Sequence, residues 1–563
     1  MIPFAAPGHP APRPKTRPGA GNARQRATPR HTPSARSSNL ATTVPRATPA
    51  IARPSTGTLW LLRGILAAIP VALALFYLSS ELAREGRLGF PMDDPYIHFQ
   101  FARNLAHGAG FSFNPGEPTP GATSPLWVVL LAAGNRLGFP LEPLAIGLGI
   151  ASAALAACMT FEVGLAAGLP LALAFLAGLA LGSAGRFTWA SLSGMETCLA
   201  AGLSLVLMRL VLSPRRSVPH VVTMGLVAGL CAEARPEMFL LGPLVAVLEW
   251  RQTRTIDRPL LFFGAVFLAV LLPYTVFCLV TTGRLLPNTF YAKSLLPLYL
   301  PGSDLPTLRL EYMPEMIAWT WRDNLFTGVL LLPGLVMWAR RHVPRGSGLV
   351  LLWPIAFWIY AIALYPRHFS LSRYTIPLMP ALSLIAIAPL EAAGQHLRGI
   401  FSRHVVAGAA GLLIALAAAS SQPKFRGVYL ANIDNILRMQ VSMGQWVASH
   451  LPRNARVATN DVGAITYYGG RYCIDTVGLV SSDFITHELA WRKAHGSIVF
   501  EDAIPSYWAR AKPDYCILFP SWYPRLTQQP WLVKIDEIDY PNNTGGGNEL
   551  VVYRVTGGPR LTP

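Results

Sequence analysis

The residues with the clearest chemical potential are two adjacent carboxylates, Asp93 and Asp94, placed thirteen residues beyond an apolar stretch that ends near Ser80. They open the run PMDDPYIHFQFARNLAHGAGFSFNPGEPTPGATSPLW. Two like charges side by side at a membrane surface repel each other and lose hydration, so they persist where something uses them. A positioned carboxylate can take the proton of an attacking hydroxyl; a second can orient that hydroxyl or hold a divalent cation such as Mg or Mn. Capping of the helix that follows explains one carboxylate and not two. The spacing does not say which of the pair does which, and the metal stays open, with Asp93 and Asp94 its ligands if one binds.

Other charged and polar residues could serve the same chemistry. Lys293 in LPNTFYAKS and Arg367, His368 and Arg373 in YPRHFSLSRY are candidate ligands for a phosphate, although Arg367 and His368 also suit plain anchoring at a membrane interface. Asn288 and Tyr291 could bond hydroxyls of a ligand, or cap a helix and sit in an aromatic belt. Tyr96, His98 and Arg103 lie on the segment after the acidic pair and are candidate substrate contacts. Glu196 in WASLSGMETC could face a cavity or stabilise a helix N-terminus. Arg235 and Glu237 interrupt an apolar run, where a salt bridge between helices is the simplest reading and a cavity pair the functional one. Asn460, Asp461 and Asp475 beside glycines read better as turn formers than as ligands.

The elements that must position these residues are mostly membrane helices. The chain has 563 residues, 52% hydrophobic and 13% charged, against about 25% charged in soluble domains. Apolar runs predict about eleven spans, near residues 59–80, 124–138, 143–164, 168–184, 196–213, 220–249, 259–281, 322–339, 348–365, 374–392 and 404–420. The net charge of +18 is uneven: residues 1–57 hold nine Lys or Arg and no acid. Rich in Pro, Ser and Thr, this segment cannot bury a core and reads as a disordered basic cytoplasmic tail rather than a nucleic-acid arm. Basic loops at 251–258, 339–345 and 395–404 are expected on the cytoplasmic side. The loop 81–123, segments 283–321 and 366–373 and the tail after 421 then fall outside. Pro214-Arg215-Arg216 conflicts with that count, unless 220–249 is two re-entrant halves.

DDPYIHFQFARNLAHG has Pro95 in its first turn and Ile97, Phe101 and Leu105 at spacing four, which predicts a helix lying on the membrane interface. Residues 424–563 alternate helix-like and strand-like runs with glycine turns, which predicts a compact extracytoplasmic α/β domain. Cys473 and Cys516 lie in two of its strand-like runs, RYCID and DYCILF, and a disulfide and two buried thiols are equally open. Neither GxGxxG nor a Walker pattern occurs in a strand–helix context, which weighs against a nucleotide-sugar donor.

Taken in order along residues 90–480, the motifs resemble the GT-C superfamily of membrane glycosyltransferases. They are the DD pair, YIxxxxARNL, GxGFxFNPGE, GxTSPLW, SGME at 193–196, RPE at 235–237, LPNTFYAK at 286–293, RYxxPxxP at 373–380 and NDxGAIxY at 460–467. The branch they look most like contains the terminal arabinofuranosyltransferases of actinobacterial cell walls. The resemblance implies a polytopic cell-membrane enzyme that moves a sugar, arabinofuranose in that branch, from a polyprenyl-phosphate donor to an extracytoplasmic glycan or lipid, with inversion. It also implies an acidic general base in the first outer loop. Two other functions fit parts of the pattern. A flippase for lipid-linked sugars should show repeated halves, which this chain lacks; a non-catalytic scaffold with a glycan-binding domain leaves the acidic pair unexplained.

Overall fold

The computed structural model describes residues 54–294, 347–364, 372–396 and, with short gaps, 314–340 and 403–557. The basic tail before residue 54, and Arg367 and His368, lie outside the described residues. The first helix, α1 (Thr56–Glu85), starts at Ser55, whose hydroxyl accepts from the Thr58 amide at 3.1 Å, and stops at Gly86 in the left-handed conformation. A bundle follows: α2 (Asp94–Ala106), α3 (Pro125–Arg136), α4 (Leu141–Ala166), α5 (Leu171–Gly182), α6 (Gly185–Ser191), α7 (Thr197–Val211), α8 (Val218–Ala234), α9 (Leu241–Thr253), α10 (Arg258–Thr282) and α11 (Asn288–Ser294). Later helices cover Leu325–Arg340, Gly348–Leu364, Arg373–His396 and His404–His450.

Among the described residues, five helices are long and apolar enough to cross a bilayer, or six if the α5–α6 pair, bent by 60°, counts as one. Several expected spans take another form. The twelve residues of α3 reach about 18 Å, short of the roughly 30 Å of hydrocarbon. The stretch 220–249 is not one span. Arg235 precedes a proline and is extended at φ −153° and ψ 135°, so α8 ends there. Arg216, before α8, meets Glu249 at 3.1 Å and Asp257 at 3.4 Å, after most of α9. The segment therefore leaves and returns to one end of the bundle, with Arg235-Pro236-Glu237 at its far tip. That hairpin puts the basic turns at 214–216 and 251–258 side by side and removes the conflict in the loop charges.

The helix His404–His450 runs without a break through residue 424, where the composition changes. Beyond it stand β1 (Arg456–Thr459), β2 (Tyr472–Asp475), β3 (Tyr515–Leu518), β4 (Leu532–Asp539) and β5 (Glu549–Val555), in the order β2-β1-β3-β5-β4. The first three are parallel; β5 and β4 pair antiparallel. Cys473 is opposite Val457, and Cys516 is opposite Ala458 on the other edge of β1. The intervening strand and the alternation of faces keep the sulfurs apart, so both are buried thiols.

Candidate active site

The first loop is held between the helix bundle and the sheet domain. Far from lying on a membrane surface, α2 buries nine of its thirteen residues, Tyr96, Phe99 and Phe101 among them. Its aromatic stripe continues into Tyr467 and Tyr468 of the helix Gly463–Gly469, with ring centroids of Tyr96 5.6 and 5.5 Å away. Asn114 bonds both the amide and the carbonyl of Cys473 at 2.9 Å. Tyr468 donates to Glu142 at 2.6 Å, and Tyr274 of α10 donates to the Ala122 carbonyl at 2.7 Å. A loop this tied down can hold a side chain in one geometry.

The two adjacent carboxylates diverge. Asp93 points to the sheet domain, where its oxygens accept from the Gly463 amide at 2.8 Å and the Ala464 amide at 2.7 Å. These are the first amides of the helix Gly463–Gly469, and their bonds oppose the rise that burial imposes on the carboxyl. The approach demands glycine: a Cβ on Gly463 would lie 2.2 Å from the Asp93 carbonyl oxygen. Burial first, then repulsion from Asp461, pushes the Asp93 carboxyl up to about 8; burial raises Asp461 to about 6. Asp461 itself accepts from Gln440 at 2.9 Å.

Asp94 faces the other way, its side chain 31% exposed, and forms an ion pair with Arg373. Burial alone would raise its carboxyl, but Arg373 and then Lys293 hold it well below the usual carboxylate range. Arg373, 6% exposed, also donates to Met92 Sδ at 3.2 Å. Its placement is built by Arg186 of α6, a buried cation inside an apolar stretch. Arg186 donates to the Ser372 carbonyl and the Thr375 hydroxyl, both at 2.9 Å. Ser372 takes the left-handed conformation at φ 51°, which turns the chain into the 3₁₀ segment that carries Arg373.

A narrow cleft of about 40 Å³ lies beside this pair. Its wall includes Ser124, Glu196, Arg235, Glu237, Thr289, Lys293, Arg373 and Tyr374. Arg235 bridges the two carboxylates, to Glu196 at 2.6 Å and to Glu237 at 2.5 Å. Tyr374 lies between the guanidinium groups of Arg235 and Arg373, at 5.2 and 5.4 Å from its ring centroid. Glu196 is delivered by the turn at Gly194, whose φ of +72° and contact with Phe90 and Pro95 leave no room for a Cβ. His98 stands behind Asp94, its Nδ1 3.2 Å from the Asp94 carbonyl oxygen, its ring kept neutral by burial.

Five of the residues singled out by sequence line this cleft, Lys293, Arg373, Glu196, Arg235 and Glu237, and Asp94 is ion-paired with one of them, Arg373. Others do not line the cleft. Tyr96 is an aromatic core residue. Arg103 stacks over Tyr467 at 4.7 Å and donates to its carbonyl at 3.1 Å. Asn288 is fully buried and donates to Ser482 at 2.8 Å, a tie to the sheet domain. Tyr291 packs towards Val477 and Ile485, under Arg284. Asp475 closes a turn by accepting from the Val477 and Val480 amides at 2.7 and 2.6 Å. Ser124, Thr289 and Arg186 are not among the site residues singled out by sequence, although Ser124 and Thr289 lie in the GxTSPLW and LPNTFYAK motifs and Arg186 is a charge in an apolar run.

Among the described residues no group of three or more His, Cys, Asp and Glu is placed to hold a metal ion. As arranged, the oxygens of Asp93 accept from two amides and one oxygen of Asp94 meets Arg373.

Residues 431–553 match a family described as a domain of unknown function, DUF8728. No curated protein matches the chain by sequence. Among solved structures, ArnT from Cupriavidus metallidurans, bound to undecaprenyl phosphate, aligns over 90% of this chain and 100% of its own, at 16% identity and TM-score 0.56. The Archaeoglobus fulgidus oligosaccharyltransferase AglB, in complex with an inhibitory peptide and a dolichol-phosphate, aligns over 87% of this chain and 74% of its own, at 14% identity and TM-score 0.52. The mycobacterial arabinofuranosyltransferase AftD aligns over 90% of this chain and 40% of its own, at 15% identity and TM-score 0.43, too loosely to bear on the sugar. The fold is that of these solved structures, a bundle of apolar helices with a C-terminal sheet domain.

Proposed function

We propose that the protein is a membrane glycosyltransferase that transfers a sugar from a polyprenyl-phosphate donor to a glycan or lipid hydroxyl at the extracytoplasmic face of the cell membrane. The observation that carries this reading is the carboxylate Asp94 paired with Arg373 and in the field of Lys293, two cations that line one cleft. Glycosyl transfer to a hydroxyl needs both functions. The acceptor must lose a proton as it attacks the anomeric carbon, and the phosphate that departs must have its charge met.

In the resting cleft Arg373 neutralises Asp94, which leaves a poor base. A donor phosphate gives Arg373 and Lys293 a new partner. With Arg373 shared or withdrawn, burial raises the Asp94 carboxyl towards the value a general base needs. Asp94 then accepts the acceptor proton as the new glycosidic bond forms on the face opposite the leaving phosphate, with inversion. Two neighbours of the same fold, solved with undecaprenyl phosphate and dolichol-phosphate, support a lipid-phosphate donor. The basic turns at 214–216 and 251–258, now at one end, support the outer placement of the cleft end. Arabinofuranose is the first sugar to test, because the sequence motifs look most like that branch.

The test is transfer of radiolabel from polyprenyl-phosphate-linked arabinofuranose, mannose and other hexoses in membranes holding the wild type or Asp94→Asn. Wild-type transfer from one donor, abolished in the variant, is expected. Equal transfer by both would remove Asp94 as the base.

A further inference from the structure

The cleft wall holds more unmet polar groups than phosphate chemistry uses. Ser124 Oγ, Glu196 Oε2 and Thr289 Oγ1 are buried without a hydrogen-bond partner, and all three residues line this one cleft. Their residues are 0%, 1% and 5% exposed. A buried polar atom left unpaired costs about 1–3 kcal/mol, so three at one cleft mark a place where a ligand supplies the partners. Glu196 is half used: Oε1 takes Arg235 at 2.6 Å and Oε2 takes nothing. An ionised carboxylate only accepts, so its missing partner is a donor, whereas the two hydroxyls can donate or accept.

Place and charge narrow the ligand. Thr289 and Lys293 are four residues apart on α11, hence neighbours on one helical face. A hydroxyl-bearing ring next to its own phosphate matches that separation. On the phosphate side two cations, Arg373 and Lys293, meet one carboxylate, Asp94, which leaves one positive charge for one phosphodiester. On the other side one cation, Arg235, meets two carboxylates, Glu196 and Glu237, which leaves one negative charge. That excess repels an acidic sugar.

We infer that Ser124, Thr289 and Glu196 form a subsite for a neutral, hydroxyl-bearing glycosyl unit carried on a singly charged lipid phosphate, and that Glu196 excludes acidic sugars. The inference rests on the donor reading proposed above. It explains why Ser124 begins the α3 segment directly after the first loop: the turn that leaves the acidic pair also presents a hydroxyl to the donor.

Binding separates the two readings. The full-length protein in lipid nanodiscs is titrated with bare undecaprenyl phosphate, with the same carrier bearing arabinofuranose, mannose or glucose, and with the carrier bearing glucuronic acid. Bare carrier should bind, the best neutral sugar should bind more tightly, and the uronate should bind no better than bare carrier. Ser124→Ala and Thr289→Val should each weaken the best neutral donor by about fivefold to tenfold, the worth of one hydrogen bond, and leave bare carrier unchanged. Glu196→Gln should narrow the gap between neutral and acidic sugars. Failure of bare carrier to bind overturns the donor reading itself. Bare carrier that binds while no neutral sugar improves on it, or while both hydroxyl variants bind the best donor as the wild type does, overturns the subsite alone.

Discussion

The two sides of the first loop use the same side chain for opposite ends. Asp93 and Asp94 are neighbours in the chain, yet one faces the sheet domain and the other the cleft. On the sheet side the carboxyl meets neutral donors, two backbone amides at 2.7 and 2.8 Å, in a contact that admits nothing larger than glycine. On the cleft side it meets charged groups, Arg373 and Lys293, beside open space. A carboxylate satisfied by fixed amides is a fastener. A carboxylate held by a cation that a ligand can claim is a group in reserve. Adjacent identical residues are thus divided by what surrounds them, not by their own chemistry.

The largest effect expected from breaking this division is at Asp94. Asp94→Asn should lower transfer by about 10²–10⁴-fold, the usual worth of a general base, with donor binding retained. Arg373→Gln comes next. It should cost about 10²–10³-fold through the lost charge on the leaving phosphate, and it should also change the pH profile. In the free enzyme Arg373 keeps Asp94 ionised well below the ordinary carboxylate range, so the acid limb of kcat/KM, which reports the free enzyme, does not come from Asp94. Without it, burial raises that carboxyl, and transfer should fall as the pH drops through a higher value. A profile whose acid limb does not move would break the link between the two residues.

Smaller effects belong to the sheet side. Gly463→Ala puts a Cβ 2.2 Å from the Asp93 carbonyl oxygen and should cost about 1–3 kcal/mol of stability, seen as a lower melting temperature in detergent, with a partial loss of transfer. The smallest effect is in the pH dependence of stability. Asp93 sits at about 8 in the fold, against about 4 in an unfolded chain. Between those values the folded state binds more protons, so its stability declines as the pH rises from about 4 to 8. Asp461, raised to about 6, acts with the same sign over the lower part of that window. Asp93→Asn should flatten the decline; an unchanged slope would show that Asp93 does not titrate there.

Much of the site could be read before the fold was seen. Charges in or beside apolar runs marked Glu196, Arg235 and Glu237, because burying a charge in a membrane protein demands a reason, while Lys293 and Arg373 were marked as cations of outer segments within the LPNTFYAK and RYxxPxxP motifs. The β1–β3 runs and their glycine turns marked the sheet domain. What could not be read was direction. The stripe Ile97, Phe101, Leu105 fits a helix on a membrane and a helix under a domain equally well, and only the docking of the helix Gly463–Gly469 decides between them. The hairpin at 220–249 looked like one long span because its two arms are both apolar; Arg235-Pro236-Glu237 marked the break, and the Arg216–Asp257 contact gave its sense. Asn288 and Tyr291 carry the side chains of a binding site but are spent on joining the bundle to the sheet domain. Ser124 and Thr289 sit inside the GxTSPLW and LPNTFYAK motifs, but their role becomes visible only when their hydroxyls are found unpaired in a cleft.

The central claim, that the pair is divided into a base and a fastener, is tested most directly by Asp93→Asn and Asp94→Asn measured side by side. Single-turnover transfer from pre-bound donor should be abolished in Asp94→Asn and reduced about tenfold or less in Asp93→Asn, with donor binding retained in both. Transfer abolished by Asp93→Asn and preserved in Asp94→Asn would contradict it.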